Sequence, residues 1–274
     1  MKLSLRQLAL VGVAATGIAA FTSQAANAAV IQLGFILDDS GSIGSGNFTT
    51  IKNGLANAIN TYVPIGGGNT YEISVVKFST NATIEVNHVL LDSAAAKTNV
   101  VNAINAMGYS GGSTNFGAGF NAMTTALTGS TVAQIGSTYV NFATDGQPNL
   151  CATIPGGTTA ASCGASNPDA NGIAARNAMI ASASVDNISV EGIGGGIDTT
   201  YLKGSICYPG PCDDTQPFNF PTQGFYISVA SADAYAGAIS TKIQTVVNAP
   251  EPATMAVLGM GLLGLGLVRQ RRSN

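Results

Sequence analysis

Two kinds of segment alternate along the middle of the chain. Short and nearly continuous apolar runs are typical of strands buried on both faces, whereas longer segments with an apolar residue every three or four positions are typical of helices. The pattern predicts strands at 30–37, 72–79, 83–90, 138–143, 188–193 and 225–230. It predicts helices at 48–62, 93–107, 115–127, 170–184, 199–203 and 232–246.

This alternation predicts an α/β fold with a doubly wound, mostly parallel sheet flanked by helices. The strands at 72–79 and 83–90 are separated only by a short turn, so we expect a hairpin that gives the sheet one antiparallel edge strand. In such folds ligands bind beyond the carboxyl ends of the strands, at the point where the strand order reverses. The residues at those ends are therefore the first candidates for a functional site.

The first residues have the pattern of a secretory signal peptide. Lys2 and Arg6 precede an apolar stretch at 8–21, and small residues follow up to Ala28, where we expect cleavage. A retained membrane helix is the alternative, but the apolar stretch is short and ends in a cleavage-like sequence. We therefore expect residues 1–28 to be a signal peptide and residues 29–247 to form a single domain.

The segment 248–274 carries three features in order: a Pro-Glu-Pro motif at 250–252, an uncharged run at 253–268 and three arginines within 269–272. At about 1.5 Å per residue the run is slightly short for a bilayer core, although the arginines would act as a stop-transfer signal. This combination resembles the PEP-CTERM sorting signal of Gram-negative and cyanobacterial surface proteins. The resemblance implies processing by an exosortase, transient anchoring in the inner membrane, and delivery to the cell surface, outer membrane or extracellular matrix. A plain C-terminal transmembrane anchor is the alternative.

The charge between residues 29 and 247 differs from that of the whole chain. Five of the eleven Lys and Arg lie in the two ends, which leaves six against thirteen Asp and Glu and a net charge of −7. We expect no nucleic-acid partner, because phosphate neutralisation needs clustered Lys and Arg. Membrane contact is expected only through the C-terminal segment.

The four cysteines lie in the second half of the chain. In an exported protein an even number of cysteines favours disulfides, and pairing by proximity gives Cys151–Cys163 and Cys207–Cys212, one of three possible connectivities. Zinc binding is the alternative, but there is no Cys-x-x-Cys pair and the sole histidine, His88, is distant in sequence.

Polar residues gather at three predicted strand or loop ends. Asp38, Ser40 and Ser42 follow the first strand, Thr114 follows two glycines before a helix, and Asp145 follows the fourth strand. Together they offer hydroxyl and carboxylate oxygens but no imidazole or thiolate. This is the ligand set of a hard cation such as Mg²⁺ or Mn²⁺, with Ca²⁺ as a third candidate. Such a site would leave one position of the ion open for an oxygen from outside.

These residues resemble the metal-ion-dependent adhesion site of von Willebrand factor A domains, which share the integrin I-like fold. That site consists of Asp-x-Ser-x-Ser, a threonine in a Gly-rich loop and an aspartate after a core strand, and all five positions are filled here. The resemblance implies that Ser40 and Ser42 bind the ion directly. Thr114 would do so directly or through a water molecule, and Asp38 and Asp145 would bind mainly through water and orient the hydroxyls.

Asp39 occupies the variable position of the motif, and we expect it to be a solvated or structural neighbour. The glycines at 41, 111 and 112 are expected to allow tight backbone paths. The loops at 147–168 and 204–222 depart from the family pattern, and they would either shape the rim of the ligand site or tie down long connections.

Two enzyme classes are alternatives. Residues 108–112 fit the Gly-x-Ser-x-Gly elbow of α/β-hydrolases, but a helix is predicted before them and His88 precedes the serine in the chain. Asp39 begins an Asp-Ser-Gly sequence like half of an aspartic-protease dyad, but Asp145 stands in Thr-Asp-Gly, which has the wrong order. We therefore expect no enzyme.

We expect instead an exported, cell-surface or matrix-associated binding module for cell adhesion. Its partner would be an extracellular protein or an acidic polysaccharide, whose carboxylate would complete the coordination of the ion. The alternative is a structural component of an extracellular matrix or biofilm, in which the metal only stabilises the fold.

Overall fold

A computed structural model of the protein describes residues 29–249. Eight strands are present in these residues: β1 (Val30–Asp38), β2 (Thr70–Phe78), β3 (Ala82–Leu90), β4 (Ile135–Thr144), β5 (Cys151–Ala152), β6 (Ala160–Ala161), β7 (Asn187–Ile193) and β8 (Tyr226–Val229). Six of them form one sheet in the order β3-β2-β1-β4-β7-β8, and β5 and β6 form a separate short hairpin. The six strands of the large sheet were predicted from the apolar runs, whereas the β5–β6 hairpin was not.

The helices flank the large sheet. They are α1 (Ser45–Tyr62), α2 (Ala94–Ala106), α3 (Phe116–Thr128), α4 (Pro168–Ala183), α5 (Thr199–Tyr201) and α6 (Ala232–Val247). Four of them begin at a polar cap whose side chain accepts a hydrogen bond from a backbone N–H of the first turn: Ser93, Asn115, Asn167 and Asp198. The short helix predicted at 199–203 is a single turn, α5, which continues into a π-helical turn at Leu202–Ile206.

Strand pairing confirms the predicted architecture. β1 runs parallel to β2 and β4, β4 to β7, and β7 to β8, while β2 and β3 are antiparallel. The chain moves outward from β1 to β3 and then returns to β4 on the other side of β1. The strand order therefore reverses between β1 and β4, and a ligand site is expected beyond their carboxyl ends.

Two apolar cores lie on opposite faces of the sheet. Successive side chains of a strand point to opposite faces, so Phe35 and Leu37 of β1 belong to one core and Ile36 to the other. The first core also contains residues of α1, α2 and α6, and the second contains residues of α3 and α4. Burial on both faces explains why the central strands read as nearly continuous apolar runs.

The predicted signal peptide and almost all of the predicted sorting segment lie outside the described residues. The division of the chain at residues 28 and 247 stays a prediction. Within residues 29–249, no helix has both the length and the apolar character needed to cross a membrane.

Candidate metal centre at the carboxyl edge of the sheet

Asp38 lies at the carboxyl end of β1, at the reversal point. It is almost fully buried, and both carboxylate oxygens accept hydrogen bonds: Oδ1 from the backbone N–H of Ser40 at 2.9 Å and Oδ2 from the hydroxyl of Thr144 at 2.6 Å. Burial raises the pKa of Asp38 to about 7, the hydrogen bonds from Ser40 and Thr144 oppose this rise, and the charge of Asp145 adds to it. Because Thr144 ends β4, Asp38 links the two strands on either side of the reversal.

Ser42 and Asp145 join the first and third motifs. The Ser42 hydroxyl donates to Asp145 Oδ1 at 2.8 Å, and the Ser40 and Ser42 hydroxyl oxygens are 3.2 Å apart. Ser40 is buried and Ser42 is exposed, so the group of oxygens extends from the interior to the surface. Burial raises the pKa of Asp145, and the hydrogen bond from Ser42 opposes that rise. Residues separated by about a hundred positions thus form one hydrogen-bonded group, which includes Asp38 through Ser40.

Thr114 lies in the neighbouring loop. The backbone N–H of Gly41 donates to the carbonyl of Gly112 at 2.8 Å, and Gly112 has a φ of +94°, which favours glycine. On its other side Thr114 exchanges hydrogen bonds with Asn149, each of 2.9 Å. In the described part of the chain, no hydrogen bond joins the Thr114 hydroxyl to Ser40, Ser42 or the two aspartates. Thr114 is therefore beside the hydrogen-bonded group but linked to it only through the backbone.

Asp39 is not solvated, contrary to one of the two roles expected for it. Its side chain is almost fully buried, lies 3.4 Å from Lys77 Nζ and accepts a hydrogen bond from the backbone N–H of Ser110 at 3.0 Å. Strand alternation turns it away from Asp38, to the face where β2 supplies Lys77. The other expected role, a structural neighbour, describes Asp39 correctly.

Three residues that support the site were not recognised in the sequence. Thr144 donates to Asp38, Tyr109 donates its hydroxyl to the carbonyl of Ser40 at 3.1 Å, and Asn149 holds the backbone of Thr114. Thr144 could have been found, because it directly precedes Asp145 at a strand end. Tyr109 and Asn149 lie in loops whose contacts depend on the assembled fold.

The oxygen atoms of this group suit a hard cation. The side chains offer hydroxyl and carboxylate oxygens. Burial raises the pKa of both carboxyl groups, Asp38 and Asp145, and the causes of these shifts include no positive charge. Within residues 29–249, neither Asp38 nor Asp145 forms an ion pair with Lys or Arg, and no cluster of three or more His, Cys, Asp or Glu offers a different type of metal site. A bound cation would supply the missing positive charge.

An open cleft of about 260 Å³ adjoins Asp145. Its walls come from α1, the end of β7 and the start of α6, and they include Ile43, Asn47, Ile193 and Asp233. Among the residues that the structure describes, no Lys or Arg lines the cleft. A ligand bound at the candidate metal centre would therefore contact a surface that contributes no positive charge.

The structure confirms both predicted disulfides, Cys151–Cys163 and Cys207–Cys212, with Cα atoms 5.1 and 5.7 Å apart. All four cysteines are paired, so the zinc alternative is wrong. The first disulfide belongs to the rim of the site, because the carbonyl of Cys151 accepts a hydrogen bond from Asn115, the residue after Thr114. The second lies at the opposite edge, where Tyr208 pairs with the amino end of β7.

The hydrolase-elbow alternative does not fit the local structure. Residues 108–112 follow helix α2 through a loop and do not follow a strand. The hydroxyl of Ser110 is 3.0 Å from Lys77 Nζ, which donates to it. A nucleophile elbow requires a sharp turn from a strand into a helix, and that turn is absent from this segment.

The fold and the site define a class: a doubly wound α/β domain with hydroxyl and carboxylate oxygens grouped at its topological switch point. Residues 32–156 match the family model of the von Willebrand factor type A domain, and residues 248–272 match that of the PEP-CTERM protein-sorting motif. Both predicted resemblances are thereby confirmed, the first within the described α/β fold and the second at the C-terminal end of the sequence. A comparison with curated protein sequences gives no match.

Solved structures with the same fold include adhesive and structural proteins. Proximal thread matrix protein 1 from the mussel byssus matches with 18% identity and a TM-score of 0.58, over 80% of this chain and 49% of that one. A structure of the same mussel protein with a zinc-occupied MIDAS motif matches with 19% identity and a TM-score of 0.57, over 80% and 48% of the two chains. The pilus adhesin SpaC from Lactobacillus rhamnosus GG matches with 16% identity and a TM-score of 0.60, over 81% and 31%.

The vWF domain of the pilus tip protein Mfa5 from Porphyromonas gingivalis is similar over nearly its whole length. The match has 10% identity and a TM-score of 0.53, over 82% of this chain and 98% of that one. The chain spans about half of the mussel protein and about a third of SpaC. At these identities the likeness concerns the fold.

Proposed function

We propose that the protein is an exported binding module whose metal site captures an acidic group of an extracellular partner. Mg²⁺ or Mn²⁺ would be held by Asp38, Ser40, Ser42, Thr114 and Asp145, with Ca²⁺ as a third candidate. The observation that carries the proposal is the hydrogen-bonded group formed by four of these residues at the reversal point, whose carboxylates pair with no Lys or Arg of residues 29–249.

The buried and the exposed side chains would have different roles in holding the ion. Asp38 is held by Ser40 and Thr144 and so has its charge fixed in place, while Asp145 holds the hydroxyl of Ser42 in one orientation. The serine hydroxyl oxygens remain available as neutral ligands. When bound, the ion supplies a Lewis-acidic position that attracts an anionic oxygen.

The partner would carry a carboxylate, from a protein Asp or Glu or from an acidic polysaccharide. Residues 29–247 have a net charge of −7, and the cleft beside Asp145 is lined by no basic residue from the described part of the chain. An acidic partner would therefore be repelled without the ion. Capture should therefore depend strictly on the metal.

The sorting motif supports the proposed location. A PEP-CTERM motif implies export and exosortase processing, and two disulfides suit an oxidising compartment. We propose a cell-surface, outer-membrane or matrix location in a Gram-negative or cyanobacterial cell, with residues 1–28 as the signal peptide, residues 29–247 as the binding domain, and membrane contact only through residues 248–274. The mussel thread matrix protein and the pilus adhesin support a binding or structural role over catalysis, and we propose no enzymatic activity.

The metal is tested by thermal unfolding of the full chain with Mg²⁺, Mn²⁺ or Ca²⁺ against EDTA. An ion at a hundred times its Kd should stabilise the fold by about 2.7 kcal/mol and raise the midpoint accordingly. The double variant Ser40→Ala/Ser42→Ala should lose this shift. Ser110→Ala is the matched control, because it removes a nearby exposed hydroxyl that the proposed site does not use.

The absence of a shift in the native protein, or an equal shift in the double variant, would contradict the site. Capture is tested separately by binding to an immobilised polyuronate and to poly-glutamate, with a neutral polysaccharide as the control surface. Metal-dependent stabilisation without EDTA-sensitive capture would favour the alternative, a matrix component whose metal only stabilises the fold. The mussel thread matrix protein supports that second candidate.

A further inference from the structure

A second polar cluster lies inside the protein, between α6 and the sheet. Its members are Lys242 of α6, Glu191 of β7 and Asn141 of β4, which are 2%, 0% and 4% exposed. Asn141 and Glu191 stand on adjacent strands and point to the same face, since Asn141 is opposite Ser189 in the register. A lysine and a glutamate buried to this degree require a specific explanation.

The three side chains are in direct contact. Lys242 Nζ is 2.8 Å from Glu191 Oε1 and also donates to Asn141 Oδ1. Asn141 Nδ2 and Glu191 Oε2 are buried, and within residues 29–249 neither has a partner of good hydrogen-bonding geometry. Buried polar groups normally have such partners, so this cluster is incompletely satisfied as a set of noncovalent contacts.

The surroundings favour the uncharged forms of both ionisable groups. Phe225 lies with its ring centre 5.3 Å from Lys242 Nζ, and Tyr235 is fully buried beside Glu191. Burial lowers the pKa of Lys242 to about 8, against the opposing effect of Glu191, and raises the pKa of Glu191, against that of Lys242. An uncharged amine is a nucleophile, and a protonated carboxyl group is a proton donor.

We propose that Lys242 and Asn141 form an intramolecular isopeptide bond, with Glu191 as the catalytic residue. Lys242 Nζ attacks Asn141 Cγ, and Glu191 donates its proton to the amide while its carboxylate accepts a proton from the attacking nitrogen. The Cγ–Nδ2 bond breaks, the Nζ–Cγ bond forms, and one molecule of ammonia leaves. The step conserves atoms and involves no oxidation or reduction, so it needs no co-reactant.

The product would resolve the defects of the noncovalent cluster. It removes the lysine charge and the unpaired amide nitrogen, and it leaves Glu191 neutral beside the new amide. A cleft of about 20 Å³ that adjoins both Asn141 and Lys242 has room for one water-sized molecule such as the departing ammonia. The bond would also join α6, which directly precedes the sorting motif at 248–272, to the central strand β4. A load on the C-terminal segment would then pass into the sheet through a covalent bond.

The test is a tryptic digest of the reduced and alkylated full chain, analysed by mass spectrometry. Without the bond, trypsin yields the peptides 98–176, 204–242 and 243–269. With the bond, cleavage after Lys242 is blocked, and peptide 98–176 appears joined to 204–269, with their summed mass reduced by one ammonia. The wild-type result alone decides whether the bond exists, so the test does not depend on the folding of a variant.

Variants assign the roles. Lys242→Arg and Glu191→Gln should each abolish the joined peptide, whereas Lys203→Arg should retain it, because Lys203 pairs with Asp214 at the surface. Separate peptides from the wild type, with normal cleavage after Lys242, would overturn the proposal. A joined peptide that persists in folded Glu191→Gln would refute the catalytic role of Glu191.

Discussion

Asp38 and Glu191 are two buried carboxylates in the same sheet, and they differ in the groups that contact them. Both are almost fully inaccessible, and burial raises the pKa of both. Glu191 has a lysine at 2.8 Å, whereas Asp38 has two hydrogen-bond donors and no paired Lys or Arg in the described part of the chain. The comparison indicates that Glu191 has its partner within the fold, whereas no Lys or Arg of the described residues offsets the charge of Asp38.

Their positions in the sheet agree with this difference. Glu191 lies within β7 beneath α6, where solvent does not reach, and Asp38 lies at a strand end from which Ser40 and Ser42 lead to the surface. A charge within a strand can be balanced only by the protein. A charge at the switch point can be balanced by a ligand.

The largest expected effect comes from removing the internal partner of Glu191. Lys242→Ala leaves the buried Glu191 without its partner, whether that partner is the ammonium group or the proposed amide, and should lower the free energy of unfolding by about 3–5 kcal/mol. Urea denaturation at pH 7 measures the change. Loss of the proposed isopeptide bond would add to it.

The surface lysine Lys203 is the control for that experiment. It pairs with Asp214, which is exposed, so Lys203→Ala should change the stability little. Equal effects of Lys203→Ala and Lys242→Ala would contradict the view that Glu191 depends on an internal partner.

A somewhat smaller effect is expected at Asp38, with the opposite sign. In EDTA the folded-state pKa of about 7 lies above the usual aspartate pKa of 3.8, so the ionised group destabilises the fold above pH 7 and this penalty fades as the pH falls towards 3.8. Asp38→Asn should therefore raise the free energy of unfolding at pH 8 by up to about 4 kcal/mol, and by little at pH 4.

Chemical denaturation at the two pH values measures this difference. Asp92→Asn, at an exposed position, is the control and should be nearly neutral at both. Mg²⁺ at a hundred times its Kd should narrow the difference at pH 8 by about 2.7 kcal/mol, because the wild type gains the ion and the variant does not. A variant that is less stable than the wild type at pH 8 in EDTA would show that Asp38 is balanced within the fold after all.

Much of the fold could be predicted from the sequence because its signals are local. The central strands are buried on both faces and read as apolar runs, and the motifs place Asp38 and Asp145 each at a strand end. That these two strands are neighbours, and that Ser40 and Ser42 connect the two aspartates, is seen only in the fold. The β5–β6 hairpin could not be predicted in this way, since two residues per strand carry no periodicity and a disulfide holds Cys151 in place.

The internal cluster was missed because its meaning depends on tertiary contacts. Glu191 stands in the apolar segment Ile-Ser-Val-Glu-Gly-Ile and Asn141 in Tyr-Val-Asn-Phe-Ala, and each was a signal that a partner must exist. The partner, Lys242, lies 101 residues from Asn141 on a helix whose orientation no local pattern specifies. A polar residue within a doubly buried strand is thus visible in the sequence, but its function is not.

The smallest expected effect tests whether the two adjacent aspartates belong to different systems. Asp39, unlike Asp38, is close to a lysine, and Lys77 keeps Glu85 at 3.6 Å as a second partner. Asp39→Asn should therefore lower the free energy of unfolding by only about 1–2 kcal/mol. The midpoint shift on adding Mg²⁺ should be the same as in the wild type, whereas Asp38→Asn should lose it. A Mg²⁺ shift that disappears in Asp39→Asn would mean that Asp39 also contributes to ion binding. The distinction between Asp39, whose charge is offset by Lys77, and Asp38, whose charge is offset by the proposed ion, would then be wrong.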